Sequence, residues 1–203
     1  MTIRKLFFLF WTTLAIGTVT APVMGWVIQG VFGPLGLTSV RLLWAGVMFG
    51  AVAQMGFFAY MVFNMVAKGF IRNPRLYQGI QLILTVLILI RILDIPAETR
   101  GLDNTWLIPW SLPVMILLFG LVVAWFKVKA TQPAAFIPAI FFMVGTTVVE
   151  AIPALGQQSF PMILLMVMTL LVCNTWQIMQ LHRLVGPTSE KGKQKSQTSG
   201  SGA

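Results

Sequence analysis

Residues 42–67 read LLWAGVMFGAVAQMGFFAYMVFNMVA, an uncharged run closed by Arg41 before it and Lys68 after it. A helix needs roughly 20 apolar residues to cross the hydrocarbon of a bilayer. From Arg41 to Lys68 is 27 steps, about 40 Å at roughly 1.5 Å per residue. The run predicts a membrane-spanning helix with Gln54 near its middle. Hydrocarbon offers no partner to a backbone N–H or C=O, so a helix, which pairs its own, is the form expected there.

Five further stretches qualify on either side, giving six expected spans: Leu6–Ile28, Leu42–Ala67, Leu76–Leu93, Trp106–Phe126, Ala134–Ala151 and Phe160–Leu181. Short segments with turn formers join them, such as Gly33-Pro34-Leu35-Gly36 and Asn73-Pro74. The expected fold is all-α: a bundle of six transmembrane helices over residues 1–185, then a polar, basic cytoplasmic tail over 186–203 that cannot bury a core. The start of the chain, with Arg4-Lys5, an apolar run and Val19-Thr20-Ala21, has the outline of a signal peptide. Its apolar stretch continues through Pro22 to Ile28, which favours a span.

Composition agrees. Of 203 residues, 57% are hydrophobic and 9% charged, far from the roughly 25% charge with which a soluble domain covers its surface. The net charge of +9 is dispersed among short segments rather than gathered in the basic surface that nucleic acid needs. Assigned to alternate sides from an N-terminus inside, eleven of the 14 Lys and Arg fall on the inner side and three (Arg41, Arg91, Arg100) on the outer. Positive residues favour the cytoplasm, so both termini are expected there. Trp26, Trp44, Trp106 and Trp110 fall toward outer ends, and Trp11, Trp125 and Trp176 in inner halves, as an aromatic belt requires.

Two sets of residues stand out within the spans. Gly17, Ala21 and Gly25 recur every four residues in the first, and Gly46 and Gly50 in the second. This spacing lets backbones approach closely, so these two faces are expected to pack together. The second set is polar. Gln54 needs partners at mid-span, and Asn64, Gln78, Gln81, Asn174 and Gln177 are expected to form one hydrogen-bonded layer on the cytoplasmic side. Arg91, Asp94 and Glu150 are expected near outer ends. Arg91 and Asp94 are placed to pair on one helix, and Glu150 to meet Arg91 or Arg41 across the bundle. Ionisable groups inside a membrane are candidate functional sites.

No catalytic or cofactor-binding constellation emerges. His182 is the one histidine and Cys173 the one cysteine, too few for a metal cluster or a nucleophile pair. The chain is expected not to be an enzyme and to hold no cofactor.

The pieces Gln54-Met-Gly56-Phe-Phe-Ala-Tyr60, Ala124-Trp125-Phe-Lys127-Val-Lys129, Phe141-Phe-Met143, Thr147-Val-Val-Glu150 with Pro153-Ala-Leu155, and Leu171-Val-Cys-Asn174 through Gln177 to Leu181-His182-Arg183-Leu184 occur in order. Over residues 50–184 the chain resembles the KinB-signalling pathway activation proteins of endospore-forming bacteria. That resemblance implies a multi-pass accessory of the cell membrane. It would promote a membrane sensor histidine kinase feeding the sporulation phosphorelay, and it assigns no catalytic residue. The candidates for coupling or packing are Gln54, Gly56, Arg91, Glu150, Asn174, Gln177, His182 and Arg183. A small transporter or membrane-embedded ligand binder, with Gln54, Asn174 and Glu150 lining a cavity, is the alternative.

Overall fold

The computed structural model describes residues 3–71, 73–93, 108–155 and 159–185; within these, side chains at positions 3, 93, 108–110, 153–155 and 182–185 are not described. Six α-helices account for nearly all of it: α1 Ile3–Phe32, α2 Ser39–Phe70, α3 Pro74–Leu93, α4 Ile108–Ala130, α5 Phe136–Leu155 and α6 Phe160–Val185. All six are long and apolar enough to cross a membrane. The spans expected from hydropathy fall on them one for one, and the helices mostly run a few residues further at the ends. At 30 and 32 residues, α1 and α2 are about 45 and 48 Å long, well beyond the roughly 30 Å of hydrocarbon.

The ends are set by local chemistry. Gly33 and Gly36 take positive φ of 90° and 66°, which side-chain-bearing residues disfavour, and so turn the chain from α1 into α2. The Thr38 side chain then accepts from Arg41 N at the start of α2. Asn73 Oδ1 accepts from Arg75 N at 3.0 Å, and Pro74 follows at the first helical position, where its missing N–H costs nothing. A short 3-10 turn, Pro133–Ala135, leads from α4 into α5. Pro22 and Pro113 lie inside helices that run through them.

Contacts between distant segments give an up-and-down arrangement. The Phe32 ring at the end of α1 meets Phe160 at the start of α6, 5.8 Å between centroids. Trp176 late in α6 donates to Thr12 early in α1. Tyr60 in the second half of α2 donates to Pro138 O at the start of α5. Lys127 near the end of α4 donates to Ile178 O near the end of α6.

The helices are not equivalent. In the most apolar window of α6 61% of residues are buried, and in α5 56%, against 22% in α1 and α3. So α5 and α6 form the centre, with α5 packed on α2, α3, α4 and α6, and α1 on α2 and α6. Phe57, Phe142, Met143, Ile163 and Leu171 are fully buried between them, and Phe142 is ringed edge-on by Phe57 and Tyr60. Outward, the helices carry large apolar side chains such as Trp44, Met55, Leu82 and Leu118. A surface of this kind needs an apolar solvent.

The α1–α2 seam is as the glycine spacing predicts. A Cβ on Gly46 would press on the Gly17 carbonyl and lie 2.8 Å from Thr18 Cα; one on Gly50 would lie 3.1 Å from Leu14 Cα. Ala21 is fully buried in the same seam. Packing of this closeness is what holds helices together where lipid is as apolar as their side chains.

Candidate functional site

With one face of α2 closed against α1, its next face turns toward α5 and α6. Gln54 follows from this: four residues after Gly50, it is 2% exposed and accepts from Gln177 Nε2 at 3.0 Å. One turn earlier on the same face of α6, Asn174 is fully buried. Its Nδ2 donates to Thr147 Oγ1 at 3.0 Å and to Glu150 Oε2 at 2.9 Å. Thr147 and Glu150 are three apart on α5 and so share a face, and one amide clasps both.

The cluster is only half satisfied. Glu150 is 5% exposed, and Glu150 Oε1, Asn174 Oδ1, Gln177 Oε1 and Gln54 Nε2 have no hydrogen-bond partner. Leaving a buried donor or acceptor unmet costs about 1–3 kcal/mol, so these are groups that a fold built only for stability would avoid. The partner of the carboxyl is neutral: the Asn174 amide, which also holds the Thr147 hydroxyl. Gly56 completes the site. The Glu150 carboxyl rests on its Cα, in the space where any Cβ would be. Beneath the cluster, Lys127 Nζ on α4 donates to Ile178 O at 2.6 Å, tying α4 to α6 one residue beyond Gln177.

Two expectations are corrected here. Glu150 does not meet Arg91 or Arg41. Both arginines are exposed at helix ends, whereas the Glu150 side chain turns inward to Asn174. The α5 helix places position 150 on the face shared with Thr147, and that face points into the bundle. Nor do the amides form one layer. Gln54, Asn174 and Gln177 gather with Glu150 between α2, α5 and α6. A separate group joins α2 to α3: Gln81 Nε2 donates to Tyr77 OH at 2.9 Å, and Tyr77 OH donates to Asn64 Oδ1. Gln78 turns elsewhere and donates to Ala134 O at 3.3 Å. The intervening α5 keeps the two groups apart.

Of the expected candidates, then, Gln54, Gly56, Glu150, Asn174 and Gln177 come together and Arg91 does not join them. The local partner expected for Arg91, Asp94, lies outside the described residues. So do the side chains of His182 and Arg183, which belong by backbone to the end of α6, and the tail 186–203. Thr147 and Tyr77 were missed. Thr147 was detectable from its three-residue spacing to Glu150; nothing in sequence marks the Tyr77 hydroxyl as a bridge.

Fold and site together define an all-helical protein of six membrane-length helices built around a buried, incompletely paired polar cluster. The chain belongs to the KbaA family, described as KinB-signalling pathway activation in sporulation, whose pattern matches residues 11–184. The KinB-signaling pathway activation protein of Bacillus subtilis (strain 168) is 28% identical over 191 residues, covering 89% of this chain and 96% of that protein. The match takes in α1, beyond the segment whose motifs carry the resemblance. No solved structure matches.

Proposed function

We propose that the protein is a non-enzymatic accessory of the cell membrane that promotes a membrane sensor histidine kinase feeding the sporulation phosphorelay. The observation that carries this reading is the family match over residues 11–184, a family named for activation of KinB signalling. The helical bundle supports it in a second way. Most of the described chain lies in helices of membrane length, so a partner is engaged chiefly through helix faces within the bilayer or through the short basic segments between them. The bias of Lys and Arg orients the chain with both termini in the cytoplasm, where the polar tail follows α6.

An accessory promotes a kinase only by binding one of its conformations better than another; equal affinity for both shifts nothing. The half-paired cluster suits such a role, since a carboxyl and three amides with open valences have more than one arrangement available. Deleting the gene in its spore-forming host, and scoring sporulation and kinase-dependent phosphorelay output, tests the reading. The expected result is a loss restored by the wild-type gene and bypassed by a kinase active independently of it. Normal phosphorelay output in a strain with no second copy would overturn it.

A further inference from the structure

An apolar groove of about 200 Å³ opens beside the polar cluster, lined by Gly56, Ala59 and Phe63 of α2, Ile88 of α3, and Gly145 and Val149 of α5 among others. Its lining residues have a helical rhythm. Gly56, Ala59 and Phe63 follow one stripe of α2, and Phe141, Gly145 and Val149 follow one stripe of α5. Two facing stripes of about two turns each make a trough parallel to the helices, and three of its residues (Gly56, Ala59, Gly145) are small enough to admit another helix backbone. The trough stays open because α2 and α3 both pack on α5, and α2 leans toward α1 and α6 rather than toward α3.

Smallness alone does not designate an occupant; the second observation is chemical. Gly56 belongs to both the groove and the polar cluster. It lines the trough, and the carboxyl of Glu150, a residue 5% exposed, occupies the space where a Cβ on Gly56 would be. The oxygen nearest to Gly56 is Oε1, the one with no hydrogen-bond partner. An acceptor without a donor thus lies immediately beside the trough, separated from it by a residue with no side chain. A lipid tail fills a trough but brings no donor. A helix bearing Ser, Thr, Asn, Gln or a basic residue does both.

We infer that this groove docks one transmembrane helix of the partner, which brings a hydrogen-bond donor over Gly56 to Glu150 Oε1. The inference rests on the accessory reading above and deepens it by naming the face. Docking there acts on the cluster directly: a donor at Oε1 draws on the same carboxyl whose Oε2 holds Asn174, and so reaches α6.

The test uses the full-length chain in host membranes beside an epitope-tagged kinase. A benzophenone amino acid replaces Ala59 or Val149 in the groove, or Leu118, which is exposed on α4 away from it. Illumination is expected to give kinase adducts from Ala59 and Val149 and none from Leu118. Filling the trough by Ala59→Trp is expected to lower kinase-dependent spore counts about tenfold, the effect of roughly 1.4 kcal/mol of lost binding, while Leu118→Trp leaves them unchanged. Any result without a kinase adduct in the groove overturns the groove, including adducts with lipid or a second copy alone. It leaves the accessory reading standing, which falls only to the deletion test. For the donor, Glu150→Gln keeps an acceptor and is expected to keep the adduct, and Glu150→Leu to lose most of it at equal membrane abundance. Full adduct yield from Glu150→Leu would overturn the donor contact.

Discussion

Gly17 and Gly46 bring two helix backbones into touch, whereas Asn174 and Glu150 hold two helices apart at the reach of their side chains. The α1–α2 seam meets its polar side chains within α1, where Thr13 and Thr18 donate to Leu9 O and Leu14 O; its closest contacts are backbone on backbone, and their worth lies in shape. The α2–α5–α6 cluster is held by three side-chain hydrogen bonds and leaves four of its polar atoms unmet. One region is closed backbone to backbone; the other leaves polar atoms open. Since α2 belongs to both, the seam fixes the helix against which the proposed rearrangement of the cluster would take place.

The comparison breaks most readily at the seam. Gly46→Val adds a branched side chain whose Cβ alone would lie 2.8 Å from Thr18 Cα and 2.9 Å from Gly17 C. Neither backbone atom swings aside, so the helices must separate, and overpacking of this kind costs about 3 kcal/mol. Reversible unfolding in mixed micelles should show that loss. Gly25→Ala makes the control, because there the nearest atoms to a Cβ are the end of the Leu42 side chain and not backbone, and the change should be small. Equal stability of Gly46→Val and wild type would refute a backbone-to-backbone seam.

Where seam logic and polar logic meet, at Gly56, the expected effect is intermediate. Gly56→Ala places a methyl where the Glu150 carboxyl lies, which forces the carboxyl away from Asn174 at a cost of about 2 kcal/mol. The obstacle is a side chain, so it can be removed. Glu150→Ala in the Gly56→Ala background should restore part of the loss, giving a coupling well outside additivity. Strictly additive losses would place Glu150 elsewhere.

Inside the cluster the losses shrink further. Asn174→Leu removes the one donor that serves both Thr147 and Glu150 and should cost about 1–2 kcal/mol, chiefly from acceptors left unmet. Adding Glu150→Leu should recover some of it, since an apolar pair needs no donor. If Asn174→Leu were more destabilising than Gly46→Val, the cluster and not the seam would be the rigid element.

The two regions also differ in how far sequence discloses them. Gly17, Ala21, Gly46 and Gly50 are legible because their four-residue period has one meaning in a membrane helix: a face made for close approach. The six spans are legible for the same reason, since length and lack of charge suffice. Glu150 is legible as costly but not as to whom it meets. Charge alone points it to an ion pair with Arg91 or Arg41. Yet partner choice depends on the rotation of α5 about its axis, which places position 150 with Thr147 on the face toward α6. Gln78 and Gln81 show the same limit. Three residues apart, they share a helix face, but α5 stands between α3 and the amides of α6, and no one-dimensional pattern reports an intervening helix.

The smallest effect is the most discriminating about what kind of cluster this is. Gln54 and Gln177 share one hydrogen bond, with Gln54 Nε2 and Gln177 Oε1 both unmet. In a double-mutant cycle of Gln54→Leu and Gln177→Leu, a single bond between membrane helices should give a coupling of about 0.6 kcal/mol. Each single change breaks the bond yet still leaves two amide atoms unmet, as many as in wild type, whereas the double change leaves none at these two positions, so Gln54→Leu/Gln177→Leu should lie close to wild type in stability. Its signalling should not. If the open valences serve the rearrangement proposed for this core, replacing them with leucine should preserve the bundle and lower kinase output in the same host strain. A double variant that is stable and fully active would reduce these amides to interhelical adhesive, and the polar core would then differ from the glycine seam in means but not in purpose.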